Sequence, residues 1–273
     1  TTRVRSPACT TLTERMLPSL ISTALRPIAL VTPGKSSAVR PFPISISGAP
    51  NTAGQDPEKD PLEKLRQDLG LKGKKVGLGV DRIDYTKGLL ERFRAIERVL
   101  EKHPNLQGEL VFIELGAPSR TLIASYQDHL KDVEKLVEKI NQRFQKGSYR
   151  PILFLEEHHD QKKIFDFYRL ADFCLVSSLH DGMNLVAKEF VSAREDEDGV
   201  LILSRFTGAS HEFTSSLLVN PYDVEGTAEA IHQAVTMLPA EKKERMRKMR
   251  QIVKEYNIYR WAADMITELI KAF

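Results

Sequence analysis

The sequence predicts an α/β protein built on a doubly wound, mostly parallel sheet of about six strands. Two observations carry that expectation. From residue 61 onward, short apolar runs alternate with longer segments whose apolar residues recur every third or fourth position, the mark of strands alternating with helices. Units of this kind pair their strands in parallel through right-handed crossovers. The predicted strands also end in polar or glycine-rich chemistry, at the edge where such sheets hold ligands.

The chain begins differently. Pro7, Pro18, Pro27, Pro33, Pro41, Pro43, Pro50, Pro57 and Pro61 are nine of its 14 prolines, and such spacing excludes long helices. What remains is one short helix over Leu12 to Leu25, a strand over Val39 to Ile46, and a flexible linker over Gly48 to Asp60. Residues 1–60 are expected to be the remnant of a preceding domain plus a linker, poorly structured or packed as an arm. Residues 61–273 form the second unit.

That unit opens with a helix from Pro61 to Leu69, closed by Gly70, and a strand from Lys75 to Val80. A helix from Gly88 to Lys102 follows, with Leu89, Leu90, Phe93, Ile96, Val99 and Leu100 as its apolar residues. Next come a strand from Leu110 to Leu115, a long charged helix from Leu122 to Phe144, a strand from Ile152 to Leu155 and a helix from Gln161 to Leu170. Asp172 to Val176 is an apolar run bounded by polar residues, as in a strand covered on both faces. Asn184 caps the helix that follows. Strands Val200 to Leu203 and Leu217 to Val219, then helices Val224 to Met237, Ala240 to Tyr256 and Tyr259 to Ala272, complete the chain.

Composition narrows the function classes. A hydrophobic content of 41% with 28% charged residues fits a soluble globular protein. The net charge of +3 is small and no basic block with interleaved aromatics occurs, so nucleic acid is not an expected partner. Cys9 and Cys174 lie far apart, which suits reduced thiols in a cytoplasm and neither a disulfide framework nor a Cys-based metal site. No apolar run approaches the roughly 18 residues a membrane span needs, and no signal pattern opens the chain. The expectation is a cytoplasmic protein without a membrane partner.

The stretch Ser177 to Glu189 organises the rest. A buried strand ends at Ser177, Gly182 permits an unusual backbone angle, and Asn184 starts a helix whose N-terminus favours anions. Asp181 lies in the loop and Glu189 in the first turns of the helix. After the first strand, Asp81-Arg82-Ile83-Asp84-Tyr85-Thr86-Lys87-Gly88 places two cations five residues apart before a helix, a combination suited to a diphosphate. A local pairing of Arg82 with Asp81 or Asp84 is the alternative. His158-His159-Asp160 offers no metal site, because neighbours on an extended chain point apart, and Asp160 reads as a helix cap. Glu195-Asp196-Glu197-Asp198 reads as a solvated loop. Gly77-Leu78-Gly79 lies inside a strand and lacks the third glycine of a dinucleotide fingerprint.

Four motifs in order, Asp81 to Gly88, Ala117-Pro118-Ser119-Arg120, Asp181 to Glu189 and Val219-Asn220-Pro221-Tyr222-Asp223, resemble the C-terminal half of the trehalose-6-phosphate synthase family. These are retaining glycosyltransferases of the GT-B fold, two facing Rossmann-like domains. The resemblance covers about Val39 to Phe273. It implies transfer of glucose from UDP-glucose to glucose 6-phosphate with retention and without a metal or other cofactor; the sister activity, glucosylglycerol-phosphate synthase, shares the donor half. It also implies roles. Arg82 and Lys87 match residues that hold the donor diphosphate, and with Asp181, which matches the carboxylate on the transferred glucose, they form the catalytic set. Gly182, Met183 and Asn184 lie beside that sugar, the amides of Leu185 and Val186 face the diphosphate, and Glu189 matches the acid on the ribose. His159 falls at the uracil, contacting it mainly through backbone. Arg120 matches the Arg on the acceptor phosphate.

In the family, most of the acceptor pocket comes from the N-terminal domain, and the residues ahead of the donor unit are too few for such a domain. The expectation is therefore a donor-binding half, inactive alone, whose acceptor half comes from a separate chain or a missing segment. Oligomerisation is left open. A non-catalytic nucleotide-sugar-binding or regulatory subunit is the alternative reading. Retention is expected by a front-side route in which the leaving phosphate takes the acceptor proton, with Asp181 the rival nucleophile.

Overall fold

The computed structural model describes residues 43–47, 61–119 and 122–272. Within them, α1 (Pro61–Asp68) precedes β1 (Lys75–Arg82), α2 (Leu89–Lys102), β2 (Leu110–Ala117), α3 (Ala124–Phe144) and β3 (Ile152–Leu155). There follow α4 (Gln161–Leu170), β4 (Phe173–Val176), α5 (Leu185–Ala193), β5 (Val200–Ser204), β6 (Leu217–Val219), α6 (Val224–Thr236), α7 (Pro239–Glu255) and α8 (Ile258–Ala272). The strands form one sheet in the order β3-β2-β1-β4-β5-β6, and the registered pairs are all parallel.

That order turns around between β1 and β4, because the chain builds outward from β1 to β3 and then crosses back to start the other half at β4. In doubly wound sheets the helices after neighbouring strands pass to opposite faces at such a point, and ligands bind in the crevice outside the carboxyl ends. The sheet is covered on both faces, which is why its strands read as apolar runs rather than alternations. One core packs α2, α3 and α6 on strand residues such as Phe112, Phe173 and Ile202 through Phe93, Ile96, Val133, Ile140 and Ile231; the other packs α4, α5 and α7 through Phe165, Tyr168, Phe190 and Met246.

The element boundaries follow the sequence closely. Asp160, Asn184 and Asp223 cap α4, α5 and α6, each side chain accepting a backbone N–H of the first turn. β1 and β2 run two residues further than expected, to Arg82 and Ala117, pairing with each other to their ends. Asp172 lies one residue before β4, and its carboxylate instead takes the N–H of Val76 at 2.7 Å. The expected strand over Val39 to Ile46 is not formed in its described part. Residues 43–47 have no strand neighbour among the described residues; Ile44 O accepts from Lys188 Nζ at 3.0 Å and Ile46 O from Ile258 N at 3.1 Å, so the segment is tied to helices. The helix expected at Leu12 to Leu25 and the linker at Gly48 to Asp60 lie outside the described residues.

Candidate functional site

Two loops meet at the crevice between β1 and β4. The first leaves β1 as a single 3-10 turn, Tyr85–Lys87, which Asp84 caps by accepting from Thr86 N and Thr86 Oγ1, both at 2.9 Å. Gly88 then takes the left-handed conformation, φ 66°, and starts α2. Glycine is required there twice over. Its φ disfavours a side chain, and a Cβ would stand 2.4 Å from the carbonyl oxygen of Ser177. The second loop leaves β4 and lies directly against the first, with Leu179 N donating to Thr86 O at 2.8 Å.

This docking brings Lys87 to Asp181, residues 94 apart in sequence, at 2.6 Å. Each side chain retains 14% exposure, so the pair lines the crevice without being sealed in it. Asp181 Oδ2 also accepts from Asn184 Nδ2 at 3.2 Å, and Oδ1 from Met183 N at 3.4 Å. Burial alone would push the Asp181 carboxyl up, but Lys87 and these N–H donors outweigh it and hold the group below the usual aspartate value. The Asp181 backbone is fixed as well, bonded to Phe206 O and to Gly208 N across a bridge to the loop after β5.

Asn184 turns the chain at φ 83°, and its side-chain oxygen accepts from Ala187 N at 2.9 Å. The N–H groups of Leu185 and Val186 are left at the mouth of α5, where helical amides have no intrahelical acceptor. Together with Lys87 they offer a positive, donor-rich wall. One turn further, Glu189 Oε2 accepts from Tyr168 O–H at 2.9 Å. Burial keeps the Glu189 carboxyl above its ordinary pKa despite that hydrogen bond.

The other expected residues fall as follows. Arg82, at the end of β1, is exposed and forms no ion pair among the described residues. The local alternative is thereby overturned: Asp81 points into the protein and pairs with Arg92, while Asp84 caps the Tyr85–Lys87 turn. The His159 imidazole is only 2% exposed and packs on Phe167, its Nε2 lying 3.5 Å from Glu157 Oε1. Burial lowers its pKa, leaving it neutral and turned inward, so its backbone alone faces outward chemistry. Gly182 is exposed and Met183 buried. Arg120 lies outside the described residues. Among the described residues, no group of three His, Cys, Asp or Glu is placed to hold a metal ion, and no helix is long and apolar enough to cross a membrane. The acidic run is a largely exposed loop, as expected, in which Asp196 pairs with Arg194 and Asp198 with Lys242.

One cluster escaped the sequence reading. Arg92 is fully buried and pairs with Asp81 and Glu114, each at 2.6 Å, while its Nε donates to Ser177 Oγ at 2.9 Å. The signal was present. Arg92 interrupts the apolar stripe of α2, and Glu114 stands amid Phe112, Ile113 and Leu115, so two opposite charges occupy core positions. The cluster also explains Gly79, where a Cβ would lie 2.2 Å from Glu114 and 2.4 Å from Arg92. That glycine makes room for the ion pair, not for a dinucleotide.

Comparison with known proteins identifies the family and the fold. The chain is 40% identical over 233 residues to a bifunctional trehalose-6-phosphate synthase/phosphatase of Thermoproteus tenax, an alignment covering 85% of this chain and 32% of the relative. An alpha,alpha-trehalose-phosphate synthase (UDP-forming) from Burkholderia xenovorans, solved in complex with glucose-6-phosphate, superposes with a TM-score of 0.75 at 38% identity over 78% of this chain and 47% of that one. An E. coli trehalose-6-phosphate structure bound with UDP-2-fluoro glucose gives a TM-score of 0.74 at 38% identity, covering 80% and 48%. The chain thus spans half or less of the length of the curated relatives it first matches, 32% of one and 50% of the next. The family model described as glycosyltransferase family 20 matches residues 10–271, and the chain belongs to that family.

Proposed function

We propose that residues 61–273 are the donor-binding half of a trehalose-6-phosphate synthase, which transfers glucose from UDP-glucose to glucose 6-phosphate with retention. The observation that carries this reading is the Lys87–Asp181 pair, 2.6 Å apart beside the open N-terminus of α5 at the sheet's switch point. Lys87, Arg82 and the amides of Leu185 and Val186 take the diphosphate, whose charge grows as the glycosidic bond breaks and which such donors stabilise most in the transition state. Asp181 holds hydroxyls of the transferred glucose, with Gly182, Met183 and Asn184 around it. Glu189, with Oε1 free of its Tyr168 bond, takes the ribose hydroxyls. The backbone at His159 takes the uracil. Arg120 serves the acceptor phosphate.

Both Asp181 oxygens are engaged by protein donors. A carboxylate so committed is a poor nucleophile, which favours front-side attack with the leaving phosphate accepting the acceptor's proton. The acceptor half is proposed to come from sequence beyond residues 61–273, on the same polypeptide or on a partner. Acceptor positioning matters greatly, since orientation accounts for about 7 to 11 kcal/mol of barrier lowering in well-arranged systems. The test is to titrate UDP-glucose into the purified 273-residue chain and assay for trehalose 6-phosphate with glucose 6-phosphate present. Binding without turnover is the expected result. Absence of binding refutes the donor reading, a trapped glycosyl ester on Asp181 refutes the front-side route, and robust turnover refutes the missing acceptor half.

A further inference from the structure

Arg92 touches neither the crevice nor solvent, yet it joins each wall of the donor site. Its guanidinium bonds Asp81 at the end of β1 and Glu114 in the middle of β2, and its Nε bonds Ser177, the first residue after β4. Ser177 Oγ then lies 3.3 Å from Lys87 O and 3.2 Å from Gly88 O, within donating distance of the turn that presents Lys87. Ser177 itself starts the loop that presents Asp181. One buried cation thus sits at the root of both loops, four residues past Gly88 on α2 and one bond from the start of the Asp181 loop.

General stability does not account for such an arrangement. Buried ion clusters contribute little net stability against apolar side chains of similar volume, because each charge has lost its water. What a fork of donors does supply is direction: its bonds fix angles as well as distances. We propose that Arg92 is a positioning residue of the donor site, holding the Lys87 turn and the Asp181 loop in register through Asp81, Glu114 and Ser177. The proposal rests on the donor reading for its purpose, though the geometry it concerns exists without ligand.

The test uses the full chain with 13C-labelled Asp carboxyls, Asp181 being assigned by its loss in Asp181→Asn. In the wild type Asp181 titrates below the usual aspartate value, reporting the Lys87 contact. Arg92→Lys keeps the charge but loses the fork, and Ser177→Ala removes only the hydroxyl. Both are expected to move the Asp181 titration up toward its ordinary position and to weaken UDP-glucose by about tenfold, the equivalent of one charge-assisted hydrogen bond. Ile231→Ala, a core substitution on α6, lowers the Tm and is expected to change neither readout. If Arg92→Lys fails to fold, Ser177→Ala carries the test. An unchanged Asp181 titration in folded Ser177→Ala and Arg92→Lys overturns the proposal, as does an equal shift in Ile231→Ala. Because the titration needs no ligand, a chain that shows the expected Asp181 shifts but binds no UDP-glucose supports the positioning role and sinks the donor reading alone.

Discussion

Removing Lys87 and removing Arg82 should have the same effect on ligand and different effects on the protein. On the donor reading each supplies a charge-assisted contact to diphosphate, in the range of 1.5 to 3 kcal/mol, so Lys87→Ala and Arg82→Ala each weaken UDP binding roughly 10- to 150-fold. Stability separates them. Arg82 is exposed and unpaired among the described residues, so its loss should move stability by less than about 0.5 kcal/mol. Lys87 neutralises Asp181 from 2.6 Å with both side chains at 14% exposure. That burial lies between the exposed pairs worth up to about 1 kcal/mol and the sealed ones whose disruption costs 3 to 5, and Asn184 and Met183 still serve the stranded carboxylate. A loss of about 1 to 3 kcal/mol follows. Calorimetric titration with UDP and urea unfolding of both variants provide the check. Unchanged UDP affinity in both would end the diphosphate assignment, and equal stability in both would show that the Lys87–Asp181 pair is not held in solution.

Three further expectations follow from the same geometry. Burial, against the pull of Arg92, raises the Glu114 carboxyl to about 7 from an ordinary 4.5, so the folded chain holds a proton the unfolded chain releases. Its contribution is therefore fully present below pH 4.5 and lost as pH rises through about 7; Glu114→Gln should flatten this part of the urea-stability profile between pH 5 and 8, and an unchanged slope would count against it. Gly88→Ala combines a left-handed φ with a 2.4 Å approach to Ser177 O, and should cost more than about 1 kcal/mol in stability and weaken UDP-glucose, whereas a neutral result would contradict the tight docking of the two loops. Excess chelator should leave UDP-glucose binding intact by calorimetry, and strict dependence on magnesium or manganese would redirect attention to Asp181 and the acidic run.

The fold was legible because its strands are buried on both faces and its helices carry caps and glycines at their ends. β4 shows this most plainly: four buried residues, Phe173 to Val176, flanked by Asp172 and Ser177. The crevice residues were legible only in part. Asp181, Asn184 and Glu189 sit in one segment, so local sequence announces a loop, a cap and a helix. Their alliance with Lys87, across 94 residues, depends on β1 and β4 becoming neighbours, and periodicity carries no information about strand order. Arg92 and Glu114 show the opposite failure. Each interrupts an apolar pattern, and only their meeting over Gly79 gives the interruption a cause. Lys188 is similar: a charge beside the expected site, yet fully buried and turned away to Ile44 O and Glu212.

The Lys87–Asp181 pair also bears on how a donor would enter. A lone ammonium at 14% exposure would have to be stripped of water when diphosphate arrived, and that desolvation would be subtracted from the binding free energy. Here Asp181 has already taken the place of that water. On the donor reading, diphosphate would exchange one anionic partner of Lys87 for another, while Asn184 and Met183 keep their hold on the Asp181 carboxylate. The exchange needs both partners to stay where they are while the bonds between them change. Side chains on two loops joined only by their own salt bridge would drift apart when it was broken. Leu179 N joins these loops at Thr86 O by backbone, and the Ser177 hydroxyl joins them at Gly88 O over the buried Arg92, so the frame outlasts the bridge it carries.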